Sequence, residues 1–242
     1  MLAGFAEKYG ITFSLLSDEG SVVIRRLGLL NEQVRQHHEF YGVQWREDAA
    51  GVPYPGAFLL DERGIITEKR FISSYRMRET GAGLLEVGFD VEAAAHGPEA
   101  RARGEGLAVR AYLDSDTYRT MQRLRLTVEL AIEPGLHVYA RPVPEGFVPL
   151  TVQVAPIDGV EVGELEGPEP EPFRVEGLDE QFFVYEATLK VGLPLTFTKR
   201  VGDQTVAATV RYQACSATDC PVPQAIRLEL PVKNVSHIER DI

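Results

Sequence analysis

The chain has 242 residues, 44% of them hydrophobic and 25% charged, with a formal net charge of −11. That profile is expected of a soluble globular protein with room for one large domain or two ordinary ones. The acidic balance excludes a nucleic-acid surface, which needs a basic stripe, and no apolar run is long enough to span a bilayer.

Leu2, Phe5, Ala6 and Tyr9 have helical spacing, and Gly10 is a stop. The first ten residues have no basic start followed by an apolar core, so they do not read as a secretory signal. By that criterion alone the compartment would be cytoplasmic. Residues 11–16 are expected as a buried strand, and Ser17, Asp18, Glu19 and Gly20 as a turn with helix-capping chemistry. Val22, Val23, Leu27, Leu29 and Leu30 give a second helix its apolar stripe. Residues 32–51 are polar, carry the pair His37–His38, and read as a loop or short helix inserted between core elements. Adjacent histidines on such an insert are expected to be exposed rather than metal-binding. A strand, a Gly64 turn and a second strand follow over residues 57–71, and a helix is expected over about 76–87.

Between residues 90 and 106 the composition shifts to Ala, Gly, Glu and Arg, which predicts a linker. Beyond it, alternating runs at 107–113, 123–132, 136–140, 150–154, 182–191, 195–200, 205–212 and 225–232 read as strands punctuated by Pro, Gly and Asp. Many short strands with no strong helix predict a β-sandwich. The acidic, proline-rich stretch 163–172 reads as a solvated loop, and 236–242 as a tail.

The chemistry concentrates at Y-Q-A-C-S-A-T-D-C-P-V-P, residues 212–223, which holds the two cysteines of the chain, Cys215 and Cys220. Flanking β-rich runs place them at the mouth of a hairpin, where two Cβ atoms can approach disulfide distance. Three states stay open: an exchanging dithiol, a static disulfide, and two free thiols. A loop this short gives a staple only roughly 2 kcal/mol, which a domain of this size hardly needs. Zinc would need two more ligands and the five histidines are scattered, so no metal and no cofactor is expected. His137 lies on an alternating strand, where it could pack beneath the cysteine hairpin, and reads first as a satisfied strand histidine. Motifs for a serine nucleophile, a phosphate loop, a dinucleotide site or a zinc protease are absent from the sequence.

These residues carry two family resemblances. Y-Q-A-C-x4-C-P-V-P, with Gly135-Leu136-His137-Val138-Tyr139 and Gly177-Leu178-Asp179-Glu180-Gln181-Phe182-Phe183, resembles the N-terminal domain of the thiol:disulfide interchange protein DsbD over residues 107–235. The resemblance implies an immunoglobulin-like sandwich outside the cytoplasm. It also implies that Cys215 and Cys220 exchange electrons with a thiol- or disulfide-carrying protein partner, with Cys220 favoured for first attack. Asp179, Glu180, Phe182 and Phe183 would form a cap over the pair.

In the first half, V-P-Y-P-G-A-F-L-L-D-E-R-G and F-A-E-K-Y-G-I-T-F-S-L-L-S-D resemble AhpC/TSA peroxiredoxins, a thioredoxin-fold family. That resemblance makes Pro55 the candidate for the cis-proline that faces the active site in such folds. The family's first strand and cysteine-bearing helix start would lie before residue 1, and residues 1–89 hold no cysteine to act as peroxidatic thiolate. The resulting expectation is an α+β protein of two domains: an incomplete thioredoxin-like part over 1–89, then an immunoglobulin-like β-sandwich over 107–235. A second copy of the chain is one way to complete the first part. The expected function is that of a thiol–disulfide oxidoreductase without peroxidase activity. The alternative is a non-enzymatic module that binds a redox partner and keeps a static disulfide.

Overall fold

A computed structural model describes residues 2–40, 42–74, 77–89, 91, 97–174 and 181–235. The chain divides into two compact units, Met1–Arg78 and Glu79–Ile242.

The first unit holds helices α1 (Leu2–Lys8), α2 (Val22–Arg26) and α3 (Val34–Phe40), then strands β1 (Gly56–Leu60) and β2 (Ile66–Phe71). Asp18 performs the expected capping: its carboxylate accepts the amides of Val23 and Ile24 at 3.0 and 2.9 Å. The β1–β2 hairpin is antiparallel and turns on Asp61, which accepts the amides of Arg63 and Ile65, both at 2.9 Å. Gly64 takes φ +78 there, a conformation that L side chains rarely adopt. His37 and His38 lie half-buried on α3, with His38 edge-on to Trp45 at 5.5 Å.

Two expectations for this unit are corrected. Residues 11–16 form no strand, and Phe13 and Leu16 are 70% and 91% exposed. An apolar run becomes a strand only where a neighbour takes up its backbone groups, and the described sheet here is the hairpin alone. Tyr54–Pro55 is trans; the cis bond among the described residues is Arg141–Pro142. Pro55 instead begins the hairpin, its carbonyl accepting the amide of Ile72 at 2.9 Å, a geometry that the default trans isomer supplies.

The second unit begins with the short strand β3 (Arg78–Glu79), which straddles the boundary, and α4 (Gly81–Phe89). Strands follow as β4 (Glu99–Gly104), β5 (Leu107–Leu113), β6 (Thr117–Tyr118), β7 (Gln122–Ile132), β8 (His137–Tyr139), β9 (Thr151–Val154) and β10 (Val160–Val162). The set closes with β11 (Glu171–Arg174), β12 (Gln181–Glu186), β13 (Thr188–Phe197), β14 (Gln204–Tyr212), β15 (Ala214–Cys215) and β16 (Gln224–Asn234). One sheet runs β10-β13-β7-β5-β4, a second β6-β16-β14-β9, and a third, smaller one β11-β12-β8-β15.

Period-2 alternation builds the core. Leu124, Leu126, Val128 and Leu130 of β7 point inward with Leu107 and Val109 of β5, and meet Val206, Ala208 and Val210 of β14 and Leu228 and Leu230 of β16. The sandwich predicted from the strand pattern is therefore present. The run 182–191 is two strands rather than one, broken at Ala187, which has φ +56.

The reading of 90–106 as a linker also needs correction. Glu99–Gly104 is the edge strand β4, paired antiparallel with β5 from Glu99↔Tyr112 to Gly104↔Leu107. Its inward residues, Ala100 and Ala102, are small, so the alternation hid in what looked like low-complexity sequence. Its outward residues pair by charge: Glu99 bonds both Arg101 and Arg110, and Arg110 reaches Glu129 at 3.1 Å. At Gly104 the Tyr212 hydroxyl comes so near that a Cβ would meet it at 2.1 Å. That hydroxyl donates to the carbonyl of Glu105 at 3.2 Å.

Helix α4, expected to close the first domain, belongs to the second unit. Its Glu86 is buried against the outward face of β5, β7 and β13. The stretch 163–172 is less free than its composition suggests, since Glu166 and Gly192 exchange backbone hydrogen bonds at 2.8 and 2.7 Å. His96 and the tail 236–242 lie outside the described residues. No described helix is long and apolar enough to cross a membrane.

Candidate functional site

The small sheet has two different faces. Val138 and Ala214, directly paired across β8 and β15, point into the main core. Their neighbours in sequence point the other way, where Tyr139, Phe182, Val184 and Cys215 form a separate cluster flanked by Val143, Phe147 and Phe173. Alternation along three short strands thus puts the cysteine chemistry on the face turned away from the main core.

The cysteines are joined in a disulfide, with S–S 2.05 Å and Cα–Cα 4.4 Å. They do not face each other across a simple hairpin mouth. β14 and β16 pair as far as Tyr212↔Gln224, and between them the chain crosses to the small sheet, where Cys215 pairs with His137 of β8. Cys215 is fully buried, whereas Cys220 lies in an exposed loop with Val222 77% exposed beside it.

The sequence around the pair explains the loop's shape. Gln213, itself buried, donates to the carbonyl of Pro221 at 2.9 Å, which ties the two arms of the loop, and accepts the amide of Val148 at 3.2 Å, which anchors them to the segment before β9. Within the loop Ser216 accepts the amides of Thr218 and Asp219 on its hydroxyl, at 3.2 and 3.0 Å. The amide of Ser216 closes the turn on the carbonyl of Asp219 at 2.8 Å.

Aromatic rings surround the buried sulfur. Phe182 packs on Tyr139 and Phe147 with ring centres 5.4 and 4.9 Å away, and Tyr139 meets Phe147 at 5.0 Å. The Tyr139 hydroxyl lies 3.9 Å from Cys220 Sγ, and burial raises its pKa. His137 is buried, 4.4 Å from the Phe173 ring and 5.0 Å from Tyr139. Burial draws its pKa down, opposed by the nearby Glu186 carboxylate. A cleft of about 490 Å³ opens beside it, lined among others by Glu133, Leu136, Phe173, Glu186 and Ala217 of the cysteine loop.

The cap residues expected from sequence divide. Asp179 and Glu180 lie outside the described residues. Phe182 is the second residue of β12 and is fully buried in the Cys215 cluster. Phe183 is half-buried and, by strand parity, lies on the opposite face from Phe182 and Cys215. Sequence reading gave no site role to Tyr139, Phe147 or Phe173. The signal for the first was present: His137 and Tyr139 are two apart on a strand, so both share the face to which Cys215 is paired.

Residues 108–231 match the family described as thiol:disulfide interchange protein DsbD, N-terminal, and residues 2–69 match the AhpC/TSA family. No curated protein matches the chain. Among solved structures, the N-terminal periplasmic domain of ScsB from Proteus mirabilis overlaps at 18% identity and TM-score 0.43, covering 55% of this chain and 51% of that one. The chain therefore spans about half of that protein's length. The reduced N-terminal domain of DsbD from Neisseria meningitidis overlaps at 16% identity and TM-score 0.34, covering 61% of this chain and 94% of that one. A third overlap is with the complex between the DsbD and PilB N-terminal domains of the same organism. There the identity is 18% and the TM-score 0.33, with 43% of this chain and 73% of that one covered.

Proposed function

The chain belongs to the family of the thiol:disulfide interchange protein DsbD N-terminal domain, and from that premise we propose that Cys215 and Cys220 exchange electrons with a dithiol-carrying protein partner. The observation that carries this reading is the asymmetry of the pair: Cys215 is sealed among aromatic rings and Cys220 sits in an exposed loop. A partner thiolate attacks Cys220 Sγ, the S–S bond breaks, and its electron pair leaves on Cys215 Sγ. The partner's second thiolate then attacks its own sulfur in the mixed disulfide, releasing Cys220 as a thiolate. The partner leaves as a disulfide and the Cys215–Cys220 pair is left reduced. Tyr139, Phe147, Phe173 and Phe182 shield the buried sulfur from small oxidants.

The AhpC/TSA-like residues 2–69 take no part in peroxide chemistry in this reading, because they contain no cysteine. The test is equilibration of the native pair in glutathione buffers, with the single-cysteine variants exposed to oxidised glutathione. An exchanging pair has a reduction potential above about −300 mV, and a structural staple lies below it. Cys215→Ser accumulates a mixed disulfide on Cys220, whereas Cys220→Ser stays unmodified. A potential in the staple range with no trapped adduct rejects exchange and leaves the bond as a fixed clasp.

A further inference from the structure

We propose that His137 is the acid–base partner of Cys215, handing the buried sulfur a proton when the disulfide opens and taking it back when it closes. The inference rests on the exchange reading above and adds a residue to it.

Geometry is the first support. His137 and Cys215 are directly paired between β8 and β15. Side chains opposite each other on antiparallel neighbours share a face, with Cβ atoms roughly 4.5–5.5 Å apart. The ring positions agree, since His137 contacts Tyr139 and Phe173, both of which surround Cys215.

The second support is an unmet need. His137 is 3% exposed, and its Nε2 is buried without a hydrogen-bond partner among the described residues. Leaving such a group unpaired costs roughly 1–3 kcal/mol, so its position calls for an explanation. A thiol or thiolate that exists only after the bond opens would be that missing partner.

The third is the chemistry of the leaving sulfur. When a partner thiolate takes Cys220, Cys215 departs as a thiolate at a fully buried position. Charge is disfavoured there, and burial among apolar groups raises a thiol's pKa. Among the described residues, the titratable groups placed against this site are Glu186 from β12, Glu133 at the cleft rim and Tyr139 on the same strand, none of them a cation. Further out are Glu171 on β11 and Asp219 in the cysteine loop. A proton is therefore needed in place of a counter-ion, and His137 lines a cleft through which water can supply it. The balance is a partner thiolate, the disulfide and one solvent proton giving the mixed disulfide on Cys220 and a thiol on Cys215. In the reverse direction the neutral imidazole removes that proton, and the Cys215 thiolate attacks the mixed disulfide at Cys220.

The test uses the full chain. Nuclear magnetic resonance titration of the His137 imidazole is compared between the oxidised form and the form reduced with dithiothreitol. Coupling predicts that reduction shifts the His137 midpoint by about one pH unit. In parallel, Cys220→Ser presents Cys215 as the lone thiol, and thiolate absorbance reports its pKa whether or not the native bond exchanges. Adding His137→Ala raises that pKa by about one unit, and His137→Gln, which can bond but not titrate, falls between. If His137→Ala does not fold, the wild-type redox comparison still decides. Identical His137 midpoints in both redox states, or a Cys215 pKa indifferent to His137, overturn the proposal. Failure of dithiothreitol to open the native bond, with coupling intact in Cys220→Ser, would instead overturn the exchange reading alone.

Discussion

Thr80 donates its hydroxyl to the buried carboxylate of Asp114, and the same oxygen accepts the amide of Gly83 at 3.0 Å. One side chain thereby caps α4 and ties it to the end of β5. Asp114 also accepts the amide of Arg125 at 2.9 Å, yet burial outweighs these bonds and pushes its pKa up to about 6. The folded protein thus holds this proton up to about pH 6, while the unfolded chain releases it near 3.8. The contribution is fully present below pH 3.8, shrinks as pH rises to 6, and is then gone, a change on the order of 3 kcal/mol. Urea midpoints of wild type and Asp114→Asn, measured between pH 4 and 7, should diverge accordingly. The wild type loses stability across that window relative to the variant. Parallel pH profiles would contradict the assignment.

Glu86 is the other tie between α4 and the sheet. It accepts Tyr112 Oη at 2.8 Å and Thr127 Oγ1 at 3.0 Å, and pairs with Lys190 Nζ at 3.0 Å. Replacing it with alanine removes a buried acceptor used three times, and the expected loss is roughly 2–4 kcal/mol. Hydrogen exchange should report the loss first in α4. A variant as stable as wild type would mean that the Thr80–Asp114 tie and the apolar residues of α4 hold it without Glu86.

Gln213 is expected to govern the loop more than the fold. Gln213→Ala deletes both bonds and lowers stability by about 1–2 kcal/mol. Freed of them, the arms of the cysteine loop move apart more readily, so dithiothreitol should reduce the disulfide faster. An unchanged reduction rate would show that the Ser216 turn holds the loop by itself.

Phe182 and Phe183 offer a test of strand parity. Phe182→Ala removes a fully buried ring beside Cys215 and should cost about 3–5 kcal/mol. It should also speed alkylation of Cys215 after mild reduction. Phe183→Ala, on the other face and half-buried, should leave Cys215 labelling near the wild-type rate. Equal acceleration in both variants would mean that the two rings shield one site.

The strands were legible because most carry inward residues large enough to mark every second position, as in Leu124, Leu126, Val128 and Leu130. β4 escaped because alanines bury without standing out. The cysteine pair was legible from spacing, but its neighbours were less so. Burial of Cys215 depends on β8 pairing with both β12 and β15, each distant from it in sequence, and no local pattern encodes that. His137 was misjudged for a related reason. A lone strand histidine normally finds a partner, and only coordinates reveal that Nε2 has none among the described residues. In the first unit the error ran the other way. An apolar run at 11–16 promised a strand that pairing did not supply.

Strand β8 is three residues long, and its middle residue, Val138, serves the main core while His137 and Tyr139 serve the disulfide. This couples heredity to parity. A one-residue shift within β8 would drive an imidazole and a phenol into the hydrocarbon interior and expose a valine to the cysteines. The disulfide-bearing face can therefore be retuned by substitution, but it cannot slide, and the packing of the core and of the disulfide would be lost in the same step.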